Sequence, residues 1–348
     1  MRLLALLLAA VAFAAEPKVA TKRPSASDTK AAALKLAIDV RSSKDGSLQK
    51  VIYWRPESAT PDVKGNGVPL LVFLHSWSGG FEQGPSWIAQ AKKMGWVLVA
   101  PDFRGPNSRP EACASDLASQ DILDAVEFAR HDARVDTSRI YLVGGSGGGH
   151  MALVMAERAP DLWAGVSAWV PISDLIAWHA ESSVRKNNYA KMLEKSCGGP
   201  PSPATEVEYR HRSPLFHLAA AKSVPLDINT GIHDGHTGSV PVSHSLRAFN
   251  VLAAPDKQIS AEDIDFMVRE QKIPASLASE QQTDPERQKA VLFRRASGNA
   301  RVTVFEGGHE SESTSAVLWL SRQHKGQLAD FSLGRKPGQS GATTEVSK

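Results

Sequence analysis

The chain has 348 residues, of which 42% are hydrophobic, 22% charged and 7% aromatic. This length and composition are typical of a globular protein of one large or two small domains, whose core needs neither a disulfide nor a metal for stability. The 40 basic and 37 acidic side chains give a net charge of +3. Because the two signs alternate along the chain, nucleic-acid binding is not expected. No run reaches the roughly 18 consecutive apolar residues that a membrane span requires.

The first 15 residues have the features of an export signal. A basic start precedes an apolar run that is too short to cross a bilayer, and Ala12-Phe13-Ala14 matches the A-x-A cleavage pattern. We expect residues 1–15 to be a cleaved signal peptide, with an uncleaved anchor or a buried first helix as the alternatives. Residues 16–30 are expected to be a flexible lead-in, and the protein to be secreted or periplasmic. Export permits disulfides, and whether Cys113 and Cys197 pair stays open.

Hydrophobic patterning predicts an α/β fold. Residues 34–40 alternate with period two, and residues 48–54 follow a turn at Asp45-Gly46, which predicts an antiparallel hairpin. A helix is predicted over 118–129, with Ser115 as its cap. Short continuous apolar runs, as in buried parallel strands, lie at 70–74, 97–100, 140–143, 166–170, 225–228 and 302–305. The alternation predicts a mostly parallel sheet with helices on both faces and the hairpin at its edge.

Two segments interrupt this alternation. Residues 174–218 are polar, and we expect them to form a cap over one end of the sheet. Residues 255–297 are charged, and we expect them to be helical, with helix starts at Ser260 and at Asp284-Pro285. Both segments precede candidate catalytic residues and are therefore expected to shape a pocket, with plain surface insertions as the alternative.

The strongest functional signal is a serine among glycines, in Gly144-Gly145-Ser146-Gly147-Gly148. A predicted strand runs into it and a predicted helix leaves it. Such a turn forces Ser146 into a strained conformation with an exposed hydroxyl, and the neighbouring residues must be small. The N–H of Gly147, at the start of the helix, is free to donate to an oxyanion. The alternatives are a phosphate-binding glycine turn and a plain tight turn, and the P-loop pattern is absent.

A serine nucleophile needs a base, and the base needs an orienting acid. Asp234 and His309 each follow a predicted parallel strand, so both are expected at the edge of the sheet that carries Ser146. Asp227 lies within its strand and is expected to be buried away from this edge. His233 and His236 flank Asp234 and are alternatives as metal ligands, but no third cluster matches them.

A second oxyanion donor is expected from the turn after the strand at 70–74. In His75-Ser76-Trp77-Ser78-Gly79-Gly80, the backbone N–H of Ser76 or of Trp77 is placed to reach the substrate oxygen, and His75 is expected to shape the loop. Trp77 and Trp178 are candidate substrate-binding residues, although packing of Trp77 under a loop is an equal alternative.

Taken together, these motifs resemble the α/β-hydrolase superfamily, in its prolyl-oligopeptidase (S9-like) or secreted-esterase branch. The matching pieces are HSWSGG, APDFRGPN, RVDTSRIYLVGGSGGGHMAL, YRHRSPLFHL, GIHDGHTGSVPVSHSLRAFN and GGHE. The resemblance implies an α/β-hydrolase domain over 31–333. The tail at 334–348 is rich in Gly, Ser, Thr and Lys and is expected to be disordered. It also implies Ser146 as nucleophile, His309 as base and Asp234 as orienting acid, with no metal and no cofactor.

Departures from the family pattern favour an esterase over a peptidase. Family peptidases usually carry a β-propeller, for which the short segment before the first predicted strand leaves no room. Many have an aromatic residue where this chain has Gly147, and Ser76 and Trp77 replace glycines of an HGGG-type loop. We expect a secreted serine hydrolase acting on a small-molecule or carbohydrate ester. The alternatives are a peptidase on short peptides and, more distantly, a non-catalytic binding protein.

Overall fold

A nine-stranded sheet runs through residues 33–334, which are the residues that this computed structural model describes. The strands are β1 (Ala37–Arg41), β2 (Leu48–Trp54), β3 (Val68–Leu74), β4 (Val97–Pro101), β5 (Val135–Gly145), β6 (Gly165–Trp169), β7 (Leu226–Gly231), β8 (Val291–Ser297) and β9 (Ala300–Phe305). The predicted signal peptide, the lead-in and the tail beyond Gly334 lie outside the described residues.

The spatial order of the strands is β1-β2-β4-β3-β5-β6-β7-β9-β8. The six strands from β4 to β9 in this order pair in parallel, whereas the hairpin β1–β2 and the last strand β8 pair antiparallel at the two edges. The α/β fold and the antiparallel hairpin at one edge are thus confirmed. Parallel pairing brings the carboxyl ends of β3, β5, β7 and β9 to one edge of the sheet, where the candidate residues follow them.

Helices cover both faces of the sheet. Successive residues of β3 pack into opposite layers, with Leu70 and Val72 in one apolar cluster and Leu71 and Phe73 in the other. This two-sided burial explains the continuous apolar runs in the sequence. The helices are α1 (Ile88–Met94), α2 (Asp116–Asp132), α3 (Gly147–Arg158), α4 (Leu175–Val184), α5 (Tyr189–Cys197), α6 (Glu206–His211), α7 (Ser243–Leu252), α8 (Ala261–Glu270) and α9 (Ser313–Leu320).

Two predicted helix caps are present. The Ser115 hydroxyl accepts the N–H of Ala118 at 3.0 Å at the start of α2, and the Ser260 hydroxyl accepts the N–H of Asp263 at 3.0 Å at the start of α8. Each cap satisfies an N–H group that the first turn of a helix leaves without a partner. No helix within residues 33–334 is long and apolar enough to cross a membrane.

Three local predictions were wrong. The first strand begins at Ala37 because its pairing with β2 begins at Ile52, and Leu34 and Leu36 are exposed. The end of the segment 255–297, predicted to be helical, is the edge strand β8, whose pairing with β9 buries apolar side chains between arginines. Asp284 caps only a turn, accepting the N–H of Glu286 at 3.0 Å, and no helix follows it.

Candidate active site

Ser146 occupies a sharp turn between β5 and α3. Its backbone has φ 58° and ψ −120°, a left-handed conformation that a residue with a side chain rarely adopts. The turn is tight because strand and helix nearly touch: a Cβ on Gly144 would lie 2.3 Å from the carbonyl oxygen of Gly148. Glycine is therefore required at this crossing, and the strained turn presents the serine hydroxyl at the end of the strand.

Ser146, His309 and Asp234 form a continuous hydrogen-bonded chain. The Ser146 hydroxyl donates to Nε2 of His309 at 2.8 Å, and Nδ1–H of His309 donates to Oδ2 of Asp234 at 2.6 Å, in the tautomer that this network assigns. The structure therefore brings together the three side chains that the sequence proposed as nucleophile, base and acid. Ser146 and His309 lie 163 residues apart in the chain, and Asp234 and His309 lie 75 residues apart. The parallel sheet brings them together because the strands before them end at the same edge.

Asp234 is buried, and both of its carboxylate oxygens have partners. While Oδ2 faces His309, Oδ1 accepts the N–H groups of Gly235 at 2.8 Å and Val240 at 3.1 Å. Gly238 lets the two loops meet, because a Cβ there would lie 2.4 Å from Cβ of His309 and 2.3 Å from Oδ1 of Asp234. The sequence analysis did not single out Gly238, although it lies in the motif that carries Asp234.

Of the two backbone N–H groups predicted as donors in the 75–80 turn, that of Trp77 is free and that of Ser76 is not. The N–H of Ser76 already donates to Oε1 of Gln83 at 2.9 Å, so that part of the prediction was wrong. The N–H of Trp77 has no acceptor within residues 33–334, and a Cβ on Gly147 would lie only 2.3 Å from this nitrogen. Because the N–H of Gly147 opens α3 and has no intrahelical partner, two free donors lie side by side next to Ser146.

Trp178 cannot contact a substrate in this structure, which corrects its prediction as a binding residue. Its side chain is fully buried, lies edge-on to Trp77 at 4.7 Å and stacks on Tyr189 at 4.8 Å, and its Nε1–H donates to the carbonyl oxygen of Ser239 at 2.8 Å. The Trp77 side chain is also buried, at 1% exposure. Trp178 lies on α4, and both indoles pack in the apolar cluster that α4 and α5 form, so only the backbone of Trp77 is left to face the site.

The two cysteines are buried as free thiols within the same apolar cluster as Trp77. Burial raises the pKa of Cys113 to about 11 and also raises the pKa of Cys197. Both thiols are therefore protonated at neutral pH. Cys197 is the last residue of α5, and both thiols belong to the apolar cluster of α4 and α5 and not to the polar edge that carries Ser146.

The histidines next to Asp234 bond to protein groups. His233 lies between Gln271 Oε1 at 3.0 Å and Glu306 Oε1 at 2.7 Å, and the bond to Glu306 raises its pKa. His236 donates from Nε2 to the carbonyl oxygen of Val268 at 2.6 Å. No group of three side chains within residues 33–334 could hold a metal ion.

Asp227 is buried within β7, as predicted, at 1% exposure. It accepts hydrogen bonds from Nε of Arg301 at 2.7 Å and from Nδ2 of Asn229 at 2.9 Å. Burial alone would raise the pKa of Asp227, but the charges of Arg301 and Arg287 outweigh burial and hold this pKa below its ordinary value. Asp227 is thus the anion of a buried ion-pair network and does not touch His309.

Replacing Asp227 by asparagine is expected to destabilise the fold, because the variant leaves buried guanidinium groups without their anion. Breaking a buried pair in this way costs about 3–5 kcal/mol. Urea titrations of the variant and the native protein measure the loss. An unchanged unfolding midpoint would contradict the structural role assigned to Asp227.

Two adjoining cavities lie at this edge of the sheet. One, of about 400 Å³, contains Ser146 and His309. The other, of about 750 Å³, extends away from them past Phe81 and Arg109. Because Phe73, Gln83 and Ser86 line both cavities, the two form one cleft beside the nucleophile, and Trp178 does not line it.

A family model described as the prolyl oligopeptidase family matches residues 83–267, more than half of the chain. The chain belongs to the prolyl oligopeptidase family. The matched segment includes Ser146 and Asp234, whereas His309 and the 75–80 turn lie outside it. The assignment to this family, which the sequence motifs suggested, is confirmed.

Relatives and solved structures agree with this family. Uncharacterized peptidase YtmA of Bacillus subtilis (strain 168) is 29% identical over 164 residues, which cover 46% of this chain and 60% of that protein. Acylamino-acid-releasing enzyme 1 of Oryza sativa subsp. japonica is 23% identical over 256 residues, which cover 66% of this chain and 32% of that protein. The chain thus spans less than two thirds of either relative's length.

Among solved structures, the uncomplexed acylaminoacyl peptidase of Pyrococcus horikoshii matches with a TM-score of 0.51 and 19% identity, over 82% of this chain and 39% of that chain. A Mycobacterium tuberculosis puromycin-hydrolyzing peptidase matches with a TM-score of 0.51 and 17% identity, over 82% of this chain and 38% of that chain. At these identities the likeness establishes the α/β-hydrolase fold alone.

Proposed function

We propose that this protein is a serine peptidase that hydrolyses short peptides through an acyl-enzyme. The observation that carries the proposal is the hydrogen-bonded chain from Ser146 through His309 to Asp234, next to two backbone N–H groups without acceptors. A binding protein has no need of this combination, because each part serves a separate step of acyl transfer.

Acylation begins when Oγ of Ser146 attacks the carbonyl carbon of the scissile bond and passes its proton to Nε2 of His309. Asp234 holds the Nδ1–H of the ring and stabilises the imidazolium that forms. The N–H groups of Trp77 and Gly147 donate to the carbonyl oxygen as it becomes negative. The imidazolium then protonates the leaving nitrogen, the C–N bond breaks, and the amine product departs.

Deacylation repeats these steps with water as the nucleophile. His309 takes a proton from the water as its oxygen attacks the ester carbonyl of the acyl-enzyme, and the same two N–H groups receive the second oxyanion. The proton returns to Oγ of Ser146 when the acyl bond breaks. The free acid leaves, and the site regains its starting protonation without any cofactor.

The choice of peptide over ester rests on the family and on the cleft. The relatives and structures named above are described as peptidases or as an acylamino-acid-releasing enzyme, so they favour the peptidase alternative over the carboxylic ester that the sequence pattern favoured. None of these is described as acting on a carbohydrate ester. The cavity beyond Gln83 and Ser86 adds space for substrate groups on one side of the scissile bond.

Peptide cleavage is tested by kcat/KM on di- to tetrapeptide amides, with free and acetylated amino termini, and on an ester of the same acyl group. We expect the best peptide to reach about 10⁴ M⁻¹ s⁻¹ or more, in the ordinary range of enzymes. A faster ester is compatible with this proposal, since its leaving group needs no protonation. Ester turnover without cleavage of any peptide in the panel would instead identify an esterase.

A further inference from the structure

Gln83 binds the turn that carries the oxyanion donor. Its Oε1 accepts the N–H of Ser76 at 2.9 Å, and its Nε2 donates to the hydroxyl of Ser76 at 2.9 Å. The N–H of Gln83 itself donates to the carbonyl oxygen of Gly80 at 3.1 Å. One residue therefore holds both the beginning and the end of the segment 76–80.

The Gln83 amide also packs directly against the backbone of this turn. A Cβ on Gly79 would lie 2.3 Å from Nε2 and 2.6 Å from Cδ of Gln83. Gly79 and Gly80 give the turn a large conformational freedom, which must be removed for one N–H group to keep a fixed direction. The two side-chain bonds of Gln83 supply that restraint on one side, and on the other the N–H of Asn107 donates to the carbonyl oxygen of Trp77 at 2.9 Å.

Gln83 decides which N–H of the turn is available. Because its Oε1 occupies the N–H of Ser76, the next N–H along the chain, that of Trp77, is the one that lies free beside Gly147. We propose that Gln83 is a positioning residue for the oxyanion hole, which acts by fixing the direction of the Trp77 N–H. This proposal rests on the acyl-transfer function proposed above. Gln83 itself transfers no proton and makes no bond to the oxyanion.

The decisive variant is Gln83→Met, which keeps a side chain of similar length against Gly79 but removes both bonds to Ser76. The matched control is Gln90→Met, because Gln90 donates from its Nε2 to Ser313 Oγ at 2.9 Å and touches neither Ser76 nor Trp77. The probe is an alkyl fluorophosphonate, which labels an activated serine whatever the natural substrate is. A p-nitrophenyl ester and its thiono analogue complete the measurement.

We expect Gln83→Met to slow fluorophosphonate labelling about 10- to 100-fold, somewhat less than the loss of a whole oxyanion donor. On the ester, kcat should fall, since the lost interaction acts in the transition state. Gln83 also lines the cleft, so kcat and the oxygen-to-sulfur ratio, and not KM, are the readouts. Sulfur is a weak hydrogen-bond acceptor, so the thiono ester should lose less and the oxygen-to-sulfur ratio of kcat/KM should fall. Gln90→Met should match the native protein in each measurement.

Native labelling rates in Gln83→Met would overturn the proposal, and so would slower labelling with an unchanged oxygen-to-sulfur ratio, because a purely structural loss affects both substrates equally. If Gln83→Met does not fold, Ser76→Ala removes only the bond from Nε2 and is expected to slow labelling about two- to fivefold. A native rate in that variant would equally overturn the proposal. A native protein that resists the probe would instead contradict the proposed function itself.

Discussion

Replacing Ser146 by alanine is expected to abolish hydrolysis, with a fall in kcat of about 10⁴–10⁶. The variant removes the hydroxyl that donates to Nε2 of His309, so no acyl-enzyme can form. His309→Ala is expected to have a similar effect, and the double variant should be little worse, because residues that act as a unit lose their effect together. Hydrolysis rates and fluorophosphonate labelling of the three variants measure this.

The control for these variants is Ser138→Ala, near the beginning of β5, the strand whose far end leads into Ser146. Its hydroxyl donates to Asp136 and lies outside the cleft. This variant should keep the native hydrolysis rate. Residual turnover of Ser146→Ala near the native level would show that another group is the nucleophile and would remove the basis of the proposed function.

Replacing Asp234 by asparagine is expected to lower turnover by about 10³–10⁴ while the protein stays folded. The reason is that the two carboxylate oxygens have different partners: Oδ1 accepts backbone N–H groups, and Oδ2 faces His309. The N–H groups of Gly235 and Val240 both require an acceptor at the Oδ1 position, so the carbonyl oxygen of an asparagine would lie there. Its NH₂ group would then face Nδ1 of His309, and the ring would carry its proton on Nε2, where it can no longer accept from Ser146.

Asp227→Asn is the matched comparison for Asp234→Asn, since both aspartates are buried, one within β7 and the other in the loop that follows β7. The two variants are expected to behave in opposite ways: Asp234→Asn loses activity and keeps its unfolding midpoint, whereas Asp227→Asn loses stability and keeps activity per folded molecule. Turnover numbers and urea titrations on both proteins decide this. A large catalytic loss in Asp227→Asn alone would reverse the assignment of the acid.

The meeting of Ser146, Asp234 and His309, which we propose as nucleophile, acid and base, was predictable because each lies in the loop that follows a buried parallel strand. Parallel strands align their carboxyl ends, so residues that follow β5, β7 and β9 meet at one edge whatever the sequence between them. The strand β8 was not predictable in this way. Arg294 and Arg295 interrupt the alternation of apolar and polar residues that predicts an edge strand. Arg294 is nevertheless buried, because it forms an ion pair with Asp284 at 2.7 Å.

The sequence by itself determined the family and the order of Ser146, Asp234 and His309, because these signals are local: a glycine turn between strand and helix, and two loops after buried strands. Only the tertiary structure decided which N–H, that of Ser76 or that of Trp77, is free to serve as the proposed oxyanion donor, since this depends on the side chain of Gln83 seven residues away. It also decided that Trp178 is buried. No pattern in the segment 174–218 indicates how its helices pack, and their packing buries the Trp77 side chain in an apolar cluster outside the cleft that Ser146 lines.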